Sequence, residues 1–167
     1  MHHINVLKHT DFDETMLFNG WSDTTVESLE DTAFISICCQ PEIKKNYLED
    51  FKEETDEHWF SRNFRNVLNV DFDDVEEEAV DTKYGKAIGI SEETAKQIKL
   101  FIEKMYNYGV KNWYIHCRSG KSRSVAVGMY LIEFLLSHNE SYQDNNFNRE
   151  HANKRVLNLI RESNGEN

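Results

Sequence analysis

The run His116-Cys117-Arg118-Ser119-Gly120-Lys121-Ser122-Arg123-Ser124 gathers one thiol, three hydroxyls and three cations within nine residues. Cys117 follows Trp113 to His116, which read as a strand. Arg123 precedes Ser124 to His138, which are apolar nearly all round and read as a buried helix. A tight polar loop between a strand and a helix N-terminus can act as an anion cradle. Its successive N–H groups converge as a nest, and the helix adds its positive pole. A guanidinium at position 123 can grip two phosphoryl oxygens with a planar fork, which an ammonium group cannot do. The same field favours a thiolate at Cys117, which is the form of cysteine that attacks. The chemistry expected is therefore nucleophilic catalysis on a phosphate ester. Gly120-Lys121-Ser122 imitates the end of a nucleotide-binding loop. That motif requires glycine five residues before Gly120, where Ile115 stands.

The elements that would position this loop alternate between strand and helix. Ile4 to His9, Thr32 to Cys39 and Val67 to Phe72 read as strands. Lys44 to Phe64 is polar with scattered aromatics and reads as helical in part. Ser91 is a suitable N-cap for a helix to Tyr108, with Glu92 and Glu93 in its first turn. Ala95, Ile98, Ile102 and Met105 follow at helical spacing, and Gly109 is a natural stop. Val156, Leu157 and Ile160 mark a last amphipathic helix. Residues 1–3 and 163–167 read as frayed ends. Strands alternating with helices predict an α/β layer architecture with its ligand site at the strand carboxyl ends.

The chain has 167 residues, enough for one domain that buries roughly 70% of its unfolded surface. Hydrophobic residues make up 39% and charged residues 29%, so a core and a wet surface are both available. A formal net charge of -11 argues against nucleic acid as a partner. It also means that any phosphate site must be local. No apolar run is long enough to span a membrane. The start of the chain lacks the pattern of a secretory signal, so a cytoplasmic monomer is expected. Of the three cysteines, Cys38 and Cys39 are adjacent and read as buried strand residues. Trp21, Trp59 and Trp113 read as packing residues. His58, His138 and His151 show no metal-ligand spacing.

His116, Cys117, Gly120, Arg123 and Ser124 match the signature of the protein tyrosine phosphatase superfamily. The chain is most similar to its compact dual-specificity branch, including small phosphatases of bacteria and phages, over about 67–136. The resemblance implies a single α/β domain with a central, mostly parallel sheet flanked by helices. It implies that Cys117 attacks phosphorus, that Arg123 binds the phosphoryl oxygens, and that Ser124 assists departure of the Cys117 sulfur. His116 would hold the loop. The amides of Arg118, Ser119, Gly120, Lys121, Ser122 and Arg123 would line the cradle, with no metal or cofactor.

Such enzymes also carry an aspartate on a separate loop as general acid. The pattern Val70-Asp71-Phe72-Asp73-Asp74-Val75 picks Asp74, with Asp73 next and Asp81 a further alternative. Asp74 lies 43 residues before Cys117, more than is usual for such enzymes, so the 75–89 loop is enlarged. Whether that loop is a mobile lid stays open. The activity implied is hydrolysis of phosphotyrosine, with phosphoserine and phosphothreonine in second place, on a phosphorylated protein. Arg118 and Lys121 resemble the loop of phosphoinositide-directed members, which leaves a phosphorylated small molecule or lipid head group as an alternative. A phosphate-binding module without turnover is another. A rhodanese-type sulfurtransferase is a third, which the arginine six residues after the cysteine disfavours.

Overall fold

Short apolar runs produce five parallel strands in a computed structural model that describes residues 1–52 and 55–164. In chain order the elements are β1 (His2–Lys8), α1 (His9–Asn19), β2 (Thr32–Cys38), α2 (Pro41–Asp50), β3 (Val67–Asp71), β4 (Ala79–Thr82) and β5 (Gly85–Ile88). Then come α3 (Glu92–Tyr108), β6 (Asn112–Cys117), α4 (Arg123–Ser137), β7 (Tyr142–Asp144) and α5 (Lys154–Glu162). The sheet order is β3-β2-β6-β1-β7, and β4 and β5 form a separate antiparallel hairpin. The expected α/β class and mostly parallel central sheet are therefore present. Among the described residues, no helix is long and apolar enough to cross a membrane.

The two faces of the sheet bury different sets of side chains, because successive strand residues point oppositely. Ile35 and Ile37 of β2 and Trp113, Ile115 and Cys117 of β6 enter the larger core with Ile98 and Ile102 of α3, Val127 and Leu131 of α4, and Ile160 of α5. Phe34 of β2 enters a smaller aromatic core with Phe12 and Met16 of α1 and with Phe60. Trp113 is fully buried, and Trp21 and Trp59 pack partly buried against the smaller core.

Helix ends follow the expected chemistry. The Ser91 side chain accepts from Thr94 N, and Gly109 ends α3 at φ 106°. Pro41 opens α2, where a missing N–H costs nothing.

Three expectations need correction. The N-terminus is not frayed at His2. β1 begins there, and His2 is buried, accepting from Trp113 Nε1 at 3.1 Å and lying 3.3 Å from Glu140 Oε2. His9 does not end a strand but opens α1. The enlarged 75–89 segment is largely the β4–β5 hairpin. It is tied to the start and the body of α2 by Gln40 Nε2 donating to Lys86 O and Asn46 Nδ2 to Tyr84 O. At the other end, Ser163 and Asn164 are described, and Ser163 Oγ donates to Ile160 O. The rest of the expected fraying, at 165–167, lies outside the described residues.

Candidate active site

β6 is the central strand, and it delivers Cys117 to the carboxyl edge of the sheet between β1 and β2. The chain then turns through Arg118 to Ser122 and enters α4. Gly120 makes the turn possible. It sits at φ 69°, and a Cβ there would lie 2.6 Å from Lys8 N and 2.9 Å from Leu7 C, so any side chain would meet backbone. The loop is pinned to α1 by His9 N donating to Arg118 O and to the segment before α5 by Asn153 N donating to Ser122 O. Among the described residues, the amides of Ser119, Gly120 and Ser122 donate to no protein group. They remain available for an anion.

The sequence-predicted residues meet here. Cys117 Sγ lies 3.0 Å from Ser124 Oγ, and the two residues are 1% and 0% exposed. Arg123 is 3% exposed and donates from Nη1 to Phe72 O at 2.7 Å, with Cys39 Sγ at 3.6 Å. Its Nε is buried with no protein acceptor among the described residues, so one edge of the guanidinium remains for a ligand. Burial works against charge on Arg123, but Cys39, Cys117, Asp74 and Asp56 outweigh it and hold the guanidinium protonated. His116 is fully buried, with Nδ1 at 3.3 Å from Cys117 O and Nε2 at 2.6 Å from Ser36 Oγ. Burial, reinforced by nearby charged His9, pushes His116 well below the usual histidine range. The ring is therefore neutral and carries one N–H.

The acidic candidates separate clearly. Asp73 is structural: its carboxylate accepts from Gln40 N at 3.1 Å and Ile88 N at 2.8 Å and is buried. Asp81 is exposed on β4, opposite Lys86 across the hairpin. Asp74 is exposed at the rim, and its Oδ1 accepts from Ser122 Oγ at 2.6 Å and Asn153 Nδ2 at 2.8 Å. Asp74 is thus the candidate that touches the Cys117–Ser124 loop. Of the loop cations, Arg118 lies 3.9 Å above the Tyr47 ring and Lys121 is exposed. A cavity of about 310 Å³ beside the loop is lined by Lys8, His9, Thr10, Thr55, Arg118 and Ser119. A larger cavity, about 650 Å³, lies between α3 and α5 and touches none of these groups.

Sequence reasoning missed three contributors. Asn153 caps α5 and clamps both Asp74 and Val75 O. Its only sequence signal is an asparagine before an amphipathic run. His9 and Asp56 are buried together behind the loop. Asp56 Oδ2 accepts from Cys39 N at 2.7 Å, while Asp56 Oδ1 faces His9 Nδ1 at 3.7 Å, a contact of charges rather than a hydrogen bond. The closer partner of His9 is Asp13, at 3.2 Å from Nε2.

His58, without metal-ligand spacing in the sequence, is brought beside Cys38 and Asp71 by the fold. The fold gathers His9, Cys38 and Asp56, and again Cys38, His58 and Asp71, as groups able to hold a metal. In both groups the histidine already faces carboxylates, at 3.2 and 3.7 Å for His9 and 2.7 Å for His58.

Burial lowers the proton affinity of His9, but Asp13 and Asp56 overcome it and raise its pKa to about 9. The folded value exceeds the unfolded one, so the stabilisation is complete below about pH 6.5 and is lost as pH rises through about 9. Denaturant titrations at pH 6.5 and pH 9.5 should show this component falling by on the order of 3 kcal/mol. His9→Asn should flatten the dependence; an unchanged slope in that variant would assign it elsewhere.

A scan against family models and searches of curated proteins and of solved structures find no match to this chain.

Proposed function

We propose that this chain hydrolyses phosphomonoesters through a cysteinyl-phosphate intermediate. The observation that carries the reading is Cys117 Sγ, 3.0 Å from Ser124 Oγ, at the end of a central strand beside buried Arg123. The phosphoryl oxygens would rest on the loop amides and on the Arg123 fork. The Cys117 thiolate attacks phosphorus, the ester P–O bond breaks, and Asp74 gives its proton to the leaving oxygen. Water then attacks the cysteinyl-phosphate and gives a proton to Asp74. The P–S bond breaks, Ser124 donates a hydrogen bond to the departing sulfur, and phosphate leaves. The protein supplies positioning and electrostatic stabilisation throughout.

Phosphotyrosine is the favoured substrate class, because Cys117 is 1% exposed and tyrosine carries its phosphate on the longest rigid stem. Phosphoserine and phosphothreonine follow. A more anionic substrate, such as a phosphorylated lipid head group, is the second reading. It is favoured by the cavity where Lys8 and Arg118 flank the loop.

The test is hydrolysis of p-nitrophenyl phosphate from pH 5 to 8 without added metal, beside phosphotyrosine peptides and a polyphosphorylated inositol. No turnover by a folded protein that still binds vanadate would leave a phosphate-binding module. Asp74→Asn should lower kcat by about 10²-fold, the small end of general acid effects, because a phenol leaves with little help. The variant should also lose the fall in rate at high pH that a required protonated acid imposes. A pH profile unchanged in shape would remove Asp74 from the mechanism.

A further inference from the structure

Four hydrogen-bond contacts join the exposed edge of β3 to the backbone of the proposed nucleophile. Asp71 Oδ1 is 2.7 Å from His58 Nε2. His58 Nδ1 is 2.6 Å from Ser36 Oγ, and Ser36 Oγ is 2.6 Å from His116 Nε2. His116 Nδ1 is 3.3 Å from Cys117 O. Sheet register brings these residues together. Ser36 is the partner of His116 across β2 and β6, and Asp71 is the partner of Cys38 across β2 and β3.

Proton counting along this chain leaves few arrangements. Cys117 O can only accept, so His116 must donate from Nδ1, and Nε2, bare in a neutral ring, must accept from Ser36. The Ser36 hydroxyl has one proton, so its oxygen must then accept from His58 Nδ1. Asp71 also accepts, so His58 must donate from Nε2 as well. Every contact is satisfied when His58 is an imidazolium paired with Asp71.

A neutral His58 has one N–H and cannot serve both ends. If it keeps Asp71, the Ser36 hydroxyl turns to His58, one proton has gone to solvent, and the His116 proton resides on Nε2. The His116 Nδ1 lone pair then faces the Cys117 carbonyl. If it keeps Ser36 instead, its Nε2 lone pair faces a carboxylate 2.7 Å away.

We propose that Asp71, His58 and Ser36 form a relay that holds His116 in the tautomer donating to the Cys117 carbonyl, with His58 donating to both of its partners. His58 is then a positioning residue for Cys117, which rests on the reading of Cys117 as nucleophile. The groups that face this chain are Asp71 of β3, Cys38 of β2 and His116 of β6. Lys44 of α2, Asp56 and Arg123 act on neighbouring Cys38, and His9 of α1 stands edge-on to His116 at 4.7 Å. The His58 side chain is 18% exposed and Asp71 47%, so water reaches the outer end while the inner end is buried.

The experiment is nitrogen-resolved NMR of the His116 ring in the intact protein and in two variants at position 58. The expected wild-type result is an N–H on Nδ1. In His58→Asn, the amide still supplies a donor toward Ser36, and the proton should stay on Nδ1. In His58→Phe, which offers Ser36 no donor, the proton should move wholly or in part to Nε2. A wild-type proton on Nε2, or a proton confined to Nδ1 in a folded His58→Phe variant, overturns the relay, even if the protein hydrolyses phosphate esters. The expected pattern in a protein that does not turn over upholds the relay and removes the phosphatase reading alone.

Discussion

Cys117→Ser is expected to lower p-nitrophenyl phosphate turnover by at least about 10⁴-fold, the scale on which a covalent nucleophile is missed. The replacement is one atom in size, at a residue 1% exposed, and Ser124 Oγ remains close enough to hydrogen-bond a hydroxyl. What disappears is an anion. A thiolate is the attacking form of cysteine, and a serine hydroxyl gives no comparable nucleophile. Because Arg123 and the loop amides stay, the variant should still bind vanadate or phosphate. Turnover within tenfold of wild type, with binding retained, would exclude attack by sulfur.

The second large effect is expected from Arg123→Lys, a drop in kcat/KM of about 10²–10³-fold. The charge is kept, so a point-charge role would be largely preserved. The fork is lost, and with it either the Phe72 carbonyl contact at 2.7 Å or the grip on phosphoryl oxygens. That contact also links the phosphate loop to the segment carrying Asp74. The loss should therefore appear in kcat as well as in KM, and vanadate affinity should fall with it. A variant within a factor of ten of wild type would show that charge alone suffices.

The legible parts of the fold were those that carry a continuous or periodic apolar run, some of them bounded by a capping residue. β2, β3, β6, α3, α4 and α5 all do so. α1 is fainter: of its buried residues only Phe12 and Met16 are apolar, and Lys8 offers no side-chain cap, although Gly20 closes its end at φ 69°. β4 and β5 are short and mostly exposed or half-buried, so their pairing leaves little hydrophobic trace.

The loop from Cys117 to Ser124 was legible because its members are contiguous. The choice between Asp73 and Asp74 was not, because neighbours on a turn point apart for reasons set by Gln40 and Ile88. His58 and Ser36 stand 22 residues apart, and Ser36 and His116 stand 80 apart. No spacing rule reaches across a sheet in that way.

The clamp made by Asn153 carries a consequence for biosynthesis. Asp74 and Asn153 are 79 residues apart in sequence, and Asn153 N also closes on Ser122 O. β6 must insert between β1 and β2 before the loop has walls. A nascent chain translated only through α4 already contains Cys117, Arg123, Asp74 and Ser122 but lacks the second donor that fixes Asp74 beside the loop. In a parallel sheet built from non-local pairs, such assembly is slow. The complete site around Cys117 would thus be assembled only after translation has passed the whole of the sheet, so the finished arrangement belongs to the released chain and not to the nascent one.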